Sequence, residues 1–423
     1  MGNVHKQHLH MSESSRSRLY SDIEEATEWL AQFGQAAEGG VTRLLYTPAW
    51  LAAQQALEER MGRFGLTPYY DDCGNLYGRL SGTDRDAGVL LTGSHVDTVN
   101  CGGKFDGAYG ILAGMLALRY LRENCGSPRR TIEVVSFCEE EGSRFPLTYW
   151  GSGNIVGRYS LGAVPEVTDK EGITLAAAMS GAGFGQKRYR PTERRDIAEF
   201  IELHIEQGFV LEKENKTIGI VEGIVGQKRF TVRLKGAANH AGTTPMKYRH
   251  DALAGAGAMI GWIEGRALTQ PEPFVSTVGQ LEVSPNSSNV IPGQVCFTVD
   301  VRDAVEERLA AFCLELRQAF AAIAGGRGLS VEVEEWMNMP PALMNPAMNS
   351  ELAAICEAKR LPWRHMFSGA GHDTQVISRL CPSTMLFVPS HNGISHSPLE
   401  SSSTADLATG VEVLAEWLYK RAY

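Results

Sequence analysis

Residues 88–137, GVLLTGSHVDTVNCGGKFDGAYGILAGMLALRYLRENCGSPRRTIEVVSF, decide the fold. The apolar run Gly88 to Thr92 reads as an extended segment, Ala108 to Arg122 as an amphipathic helix, and the β-branched run Thr131 to Phe137 as a strand. Strand, helix and strand within about 50 residues form a βαβ unit, which predicts a mostly parallel sheet covered by helices. Upstream, Asn75 to Leu80 is extended, and Thr47-Pro48 reads as an N-cap and N1 pair opening a helix. Further upstream, Ser21-Asp22 reads as the cap of a helix whose apolar positions Ile23, Ala26, Trp29, Leu30 and Phe33 recur at helical spacing.

Downstream the texture changes. Between Val221 and Met337 the pattern predicts a strand (Arg229 to Leu234), a helix (Asp251 to Arg266), strands (Val275 to Val283, Val295 to Arg302), a helix (Val305 to Ile323) and a strand (Leu329 to Glu335). After it, helices at Ser350 to Lys359 and Thr404 to Lys420 flank the apolar strand Met385 to Val388, which returns to the first texture. The expected architecture is α/β: a discontinuous domain with a mostly parallel central sheet (1–220 and 338–423) and an inserted α+β domain (221–337).

The chain has 423 residues, 43% of them hydrophobic and 21% charged, as a folded chain requires. That length suggests two to three domains at roughly 150 residues each. A net charge of −9 gives no basic field for a phosphate backbone, so no nucleic acid is expected. No membrane is expected either, since Gly110 to Leu118 and Leu253 to Ile263 fall short of the about 18 apolar residues of a spanning helix. The polar N-terminus lacks the apolar core of a secretory signal, and His5, His8 and His10 read as a loose tail. The eight cysteines are scattered without a C-x-x-C, which fits reduced thiols and a cytoplasmic location.

Three features follow predicted strands, where open α/β sheets carry their sites. In SHVDT (94–98), His95 and Asp97 share a face of an extended segment, so the Asp97 carboxylate could accept one ring N–H and leave the other nitrogen for a metal. A histidine there is otherwise a hydrogen-bonded surface group. The glycine-rich turn at 102–110 lacks a phosphate-binding pattern, and it places Asp106 at a helix start, where a plain N-cap is the simpler reading. Glu139, Glu140 and Glu141 follow an apolar strand, where like charges repel unless solvated or shared with a cation. With His204 and His396, each also after a strand, these residues suit two zinc-like or manganese-like ions better than one, with a carboxylate bridging; the choice of metal stays open.

The order SHVDT, FDGAYG, EEEGSRF, ELHIEQG, NHAGTTPM and GISHSP resembles the co-catalytic metal amidohydrolases of the aminoacylase and carboxypeptidase family. Within it, the chain is similar to the subgroup of allantoate amidohydrolases and N-carbamoyl-L-amino-acid hydrolases from about residue 20 onward. Gly40 to Tyr46, Phe145 to Asn154 and Ser368 to Gln375 lean toward its allantoate-hydrolysing members. The resemblance implies two divalent ions per subunit, Mn2+ or Zn2+, one held by His95, Asp106 and His204 and the other by Asp106, Glu141 and His396. It makes Glu140 the general base and Asp97 the acid that orients His95, and gives Glu139 no role. It implies that the inserted domain is a lid and homodimerisation domain, with His240 reaching a substrate carbonyl from the partner subunit and Gln227, Asn289 and Arg302 holding a carboxylate. His372 would line the site. The implied partner is a small anionic ureido compound. Allantoate, N-carbamoyl amino acids, β-ureidopropionate and ureidoglycolate all stay open here. A non-catalytic metal-binding scaffold would be expected to lack a base at position 140.

Overall fold

The computed structural model describes residues 9 and 11–423 except positions 38 and 85, so His5, His8 and His10 lie outside the described residues. Strands of three or more residues run β1 (Thr67–Tyr70), β2 (Leu76–Leu80), β3 (Val89–His95), β4 (Ile132–Phe137), β5 (Ile197–Ile205), β6 (Ile218–Ile224), β7 (Gly226–Lys235), β8 (Val275–Thr277), β9 (Leu281–Ser284), β10 (Gln294–Asp303), β11 (Ser330–Met339), β12 (Trp363–Ser368) and β13 (Ser383–Val388). The longer helices are α1 (Glu13–Ala31), α2 (Pro48–Arg63), α3 (Ala108–Cys125), α4 (Ala252–Ala267), α5 (Glu306–Gly326), α6 (Pro346–Lys359) and α7 (Thr404–Ala422).

The chain divides into two compact units. The first takes Met1–Glu222, Met344–Met366 and His372–Tyr423, and the second takes Gly223–Leu343 with Phe367–Gly371. The expected boundaries of 221 and 337 therefore move outward at the rear. The cause is β11, which stays paired with β7 as far as Met339 opposite Gln227.

In the first unit the main sheet runs β1, β2, β4, β3, β5, β13, β6. β3 pairs parallel with both β4 and β5, and β13 parallel with β5, so the C-terminal ends of these four strands open on one edge. Antiparallel neighbours flank them on both sides. α3 is buried along most of its length and lies directly on the sheet. Glycine allows the approach: a Cβ on Gly110 would sit 2.5 Å from the carbonyl oxygen of Leu203, and one on Gly114 2.7 Å from Val134. Thr47 does cap α2, accepting from the Trp50 amide at 3.4 Å. Ser21 and Asp22 do not cap α1. That helix starts at Glu13, capped by Ser12, because Leu19 already belongs to the buried stripe of Ile23, Ala26 and Leu30.

The second unit is an antiparallel sheet, β9, β10, β7, β11, with β8 also on β10. The expected single strand 275–283 breaks into β8 and β9. Alternate residues Phe230, Val232 and Leu234 of β7 and Val295 to Val301 of β10 face a core shared with α4 and α5. By length and apolar composition, α5 alone among the described residues could cross a bilayer. Its apolar stripe, Leu309, Phe312, Leu316 and Phe320, is instead spent on that core, and Glu306, Glu307 and Arg308 crowd its first turn.

Candidate dinuclear metal centre

The shared edge of β3, β4, β5 and β13 carries the titratable cluster. His95 ends β3, Glu139 to Glu141 follow β4, His204 is the penultimate residue of β5, and His396 lies in the loop after β13. Asp106 is delivered by the turn before α3. It is not an N-cap: Gly107 takes that position without a side-chain bond. Gly107 has φ +64°, and a Cβ there would lie 2.5 Å from the His95 ring, so only glycine lets Asp106 approach.

Two donor groups meet at Asp106. Oδ1 is 3.5 Å from His95 Nε2 and 3.3 Å from His204 Nε2, while Oδ2 is 3.2 Å from His396 Nε2, which is itself 3.4 Å from Glu141 Oε1. In His95, Asp106, His204 and in Asp106, Glu141, His396 the donor atoms lie within 4.8 Å of one another. Backbone carbonyls set the tautomers: His95 Nδ1 donates to Asp97 O at 3.0 Å and His204 Nδ1 to Ile205 O at 2.9 Å, so each Nε2 presents a lone pair. Nitrogen and carboxylate oxygen are the donors zinc and manganese accept, so the residues fit two such ions with Asp106 shared. A proton competes with metal for the same nitrogens: burial opposes ionisation of Asp106, yet His204, His396 and His95 hold its pKa well below the carboxylate range, and burial likewise opposes a charged His95 ring, which Asp106 and Asp97 hold well above the histidine value, so an ion must displace that proton to bind.

Around this pair the structure departs from the expected roles. The Asp97 carboxylate accepts the backbone amides of Glu140 at 3.0 Å and Glu141 at 3.1 Å; the carbonyl of Asp97, rather than its carboxylate at 3.3 Å, makes the shorter contact with His95. Glu139, left without a role by the resemblance, accepts the amides of Gly142 and Trp150 and so fixes the other side of the same loop. Glu140 is buried, and that burial pushes its pKa well above the ordinary range; His95 opposes the shift, and Glu141 and Asp373 add to it. The His372 ring packs edge-on to His204 with centroids 4.6 Å apart, and burial, then His204, lower its pKa. Glu202 and His372 also lie near His204, but Glu202 is occupied by Ser94 Oγ at 2.7 Å and Thr374 Oγ1 at 2.6 Å.

Sequence reasoning missed Gln207, Ser395 and Glu400. Gln207 Nε2 donates to Asp106 Oδ2 at 2.9 Å, and Ser395 Oγ lies 3.2 Å from the same oxygen. Both neighbour a predicted histidine, but no spacing rule singles them out.

The second unit holds the remaining candidates in two groups. His240 and Asn289 sit together where Asn239–His240 pairs with Val290–Ile291, and Ala241 N donates to Asn289 O at 3.0 Å. The amides of Gly242 and Thr243 donate to His240 Nδ1 at 3.0 and 3.2 Å, which places the ring proton on Nε2 as an exposed donor. Gln227 and Arg302 face each other across β7 and β10 and converge on Asp300, at 2.8 Å and at 3.0 and 3.1 Å. Arg302 Nη1 also donates to Gly369 O at 2.7 Å.

The chain is also similar over nearly its whole length to known proteins. Residues 91–420 match peptidase family M20/M25/M40. The chain belongs to that family. It is 45% identical over 411 residues to the allantoate amidohydrolase of Bacillus subtilis (strain 168), covering 97% of this chain and 100% of the relative. It is 44% identical to the allantoate amidohydrolase of Escherichia coli (strain K12), covering 95% and 98%. Among solved structures, an amidase of the hydantoinase/carbamoylase family from Burkholderia multivorans superposes with TM-score 0.90 at 35% identity, covering 96% of this chain and 98% of that one.

Proposed function

We propose that the chain is an allantoate amidohydrolase that hydrolyses a ureido C–N bond with two divalent ions, Mn2+ or Zn2+. The observation that carries the hydrolytic reading is the division of Asp106, one oxygen toward His95 and His204 and the other toward His396 and Glu141. The full-length similarity to two allantoate amidohydrolases favours allantoate as the substrate.

The ions, when bound, polarise the carbonyl and lower the pKa of water. The chain's residues do the rest. Glu140 takes a proton from the attacking water, whose oxygen joins the ureido carbonyl carbon, and returns it to the terminal nitrogen as that C–N bond breaks. Ammonia leaves, and the carbamate left behind loses carbon dioxide to give ureidoglycine. His240, with its proton on Nε2, serves as donor to the carbonyl oxygen as negative charge builds there. Gln227, Asn289 and Arg302 serve the substrate carboxylate, Arg302 through its planar fork. His372 stays neutral and orders the ring of His204. The chain works as a cytoplasmic homodimer joined through the inserted unit, and sedimentation at micromolar concentration checks the dimer.

The test of substrate is ammonia release from allantoate, ureidoglycolate, β-ureidopropionate and N-carbamoyl amino acids, after chelation and return of manganese, zinc or cobalt. Turnover of allantoate above the others is the expected result. Turnover of N-carbamoyl amino acids alone would overturn the substrate assignment and leave the site intact.

A further inference from the structure

We infer that Glu400 is the positioning residue for the bridging Asp106, and through it for the second metal position, a role that rests on the dinuclear reading above. Glu400 is 4% exposed and lies 294 residues along the chain from Asp106. A carboxylate buried to that degree is costly unless hydrogen bonds compensate it. Glu400 has three donors: its Oε1 accepts the backbone amides of Phe105 at 2.9 Å and Asp106 at 3.1 Å, and its Oε2 lies 3.0 Å from Ser395 Oγ. The same Ser395 hydroxyl is 3.2 Å from Asp106 Oδ2, and Ser395 precedes His396. Glu400 therefore ties the turn that presents Asp106 to the loop that presents His396. The bonds that cross the fold are those to the Phe105 and Asp106 amides, and the local bond to Ser395, five residues before Glu400, fixes the carboxylate to the loop of His396.

The turn is shaped to admit it. A Cβ on Gly103 would fall 1.9 Å from Glu400 Oε1, so glycine at 103 leaves the space the carboxylate fills. The two metal positions depend on this tie unequally. His95 and His204 stand on β3 and β5, rigid strands within the sheet, whereas Glu141 and His396 stand on loops. Loss of Glu400 should therefore loosen the second position first.

The experiment is calorimetric titration of metal-stripped full-length protein with Mn2+. Wild type should bind two ions. Glu400→Ala should keep the tighter site within threefold and weaken the other by about 10–100-fold, the usual effect of removing an outer-shell partner. Glu400→Gln should bind almost as wild type, because one amide oxygen can accept both backbone N–H groups. Gly103→Ala, which displaces the carboxylate without removing it, should reproduce the loss and decides the matter alone if Glu400→Ala does not fold. Two wild-type-like sites in both weakened variants, or equal weakening of both sites, would overturn the role of Glu400. Fewer than two ions in wild type would overturn the dinuclear reading itself, and this inference with it.

Discussion

Asp97 serves the site through two different atoms. Its carbonyl receives His95 Nδ1–H, and its carboxylate receives the amides of Glu140 and Glu141, so the first histidine and the base loop are held by one residue. Asp97→Asn keeps the carbonyl, and with it the His95 tautomer, but leaves one side-chain oxygen for two amides. Turnover should fall about 10–100-fold with the Mn2+ content of the purified protein unchanged; a parallel loss of metal would show that Asp97 acts through His95 instead. Glu140→Gln separates chemistry from folding. Removing a general base costs about 10²–10⁴-fold in rate, yet burial already disfavours the charged carboxylate, so the neutral isostere should melt no lower than wild type. A fully active variant would sink the assignment of Glu140 as base.

Much of this was legible at the scale of elements. The run at 88–137 contains a true βαβ unit because its apolar residues pack on both faces of β3 and β4, and such strands read as largely apolar stretches, broken in β4 by the buried Glu133, which pairs with Arg79 and Arg194. The candidate ligands were visible for the same reason: polar residues that abruptly end such strands stand out. Glu202, Glu400 and Ser395 did not, since their partners lie across the fold; Glu202 contacts Ser94 at a separation of 108 residues. Asp300 was missed likewise, and it organises the pair β7 and β10, taking Gln227, Arg229 and Arg302 onto one carboxylate. Burial opposes its ionisation, but Arg302, Gln227 and Arg229 outweigh it and hold the pKa below the ordinary aspartate value. A depressed carboxylate contributes stability that is present above its unfolded pKa of about 4 and disappears as pH falls through the folded value. The stability gap between wild type and Asp300→Asn in urea should accordingly be flat above pH ~4 and close below it. A gap that persisted at lower pH would mean that packing, not charge, is what Asp300 supplies. The variant should also raise KM for allantoate more than it lowers kcat, because Arg302 loses the two bonds that orient its fork.

At the scale of the whole molecule, the two units are built on separate cores. The apolar cluster of the inserted unit, from Phe230 to Leu329, shares no residue with the clusters of the first unit. All the candidate metal ligands, His95, Asp106, Glu141, His204 and His396, belong to the first unit, although they are spread over most of its sequence. A ligand that binds only the folded state stabilises it by RT ln(1 + [L]/Kd), about 2.7 kcal/mol at one hundred times Kd. That gain falls on the cooperative unit that supplies the ligands. Chelation should therefore lower the unfolding temperature of the first unit by several degrees and leave the second unchanged. Hydrogen exchange resolved by segment can read both at once: amides in β3, β5 and α3 should lose protection when metal is removed, while those in β7, β10 and α5 keep theirs. Equal loss in both sets would show that the two cores unfold as one, and that the inserted unit depends on the metal centre for its stability.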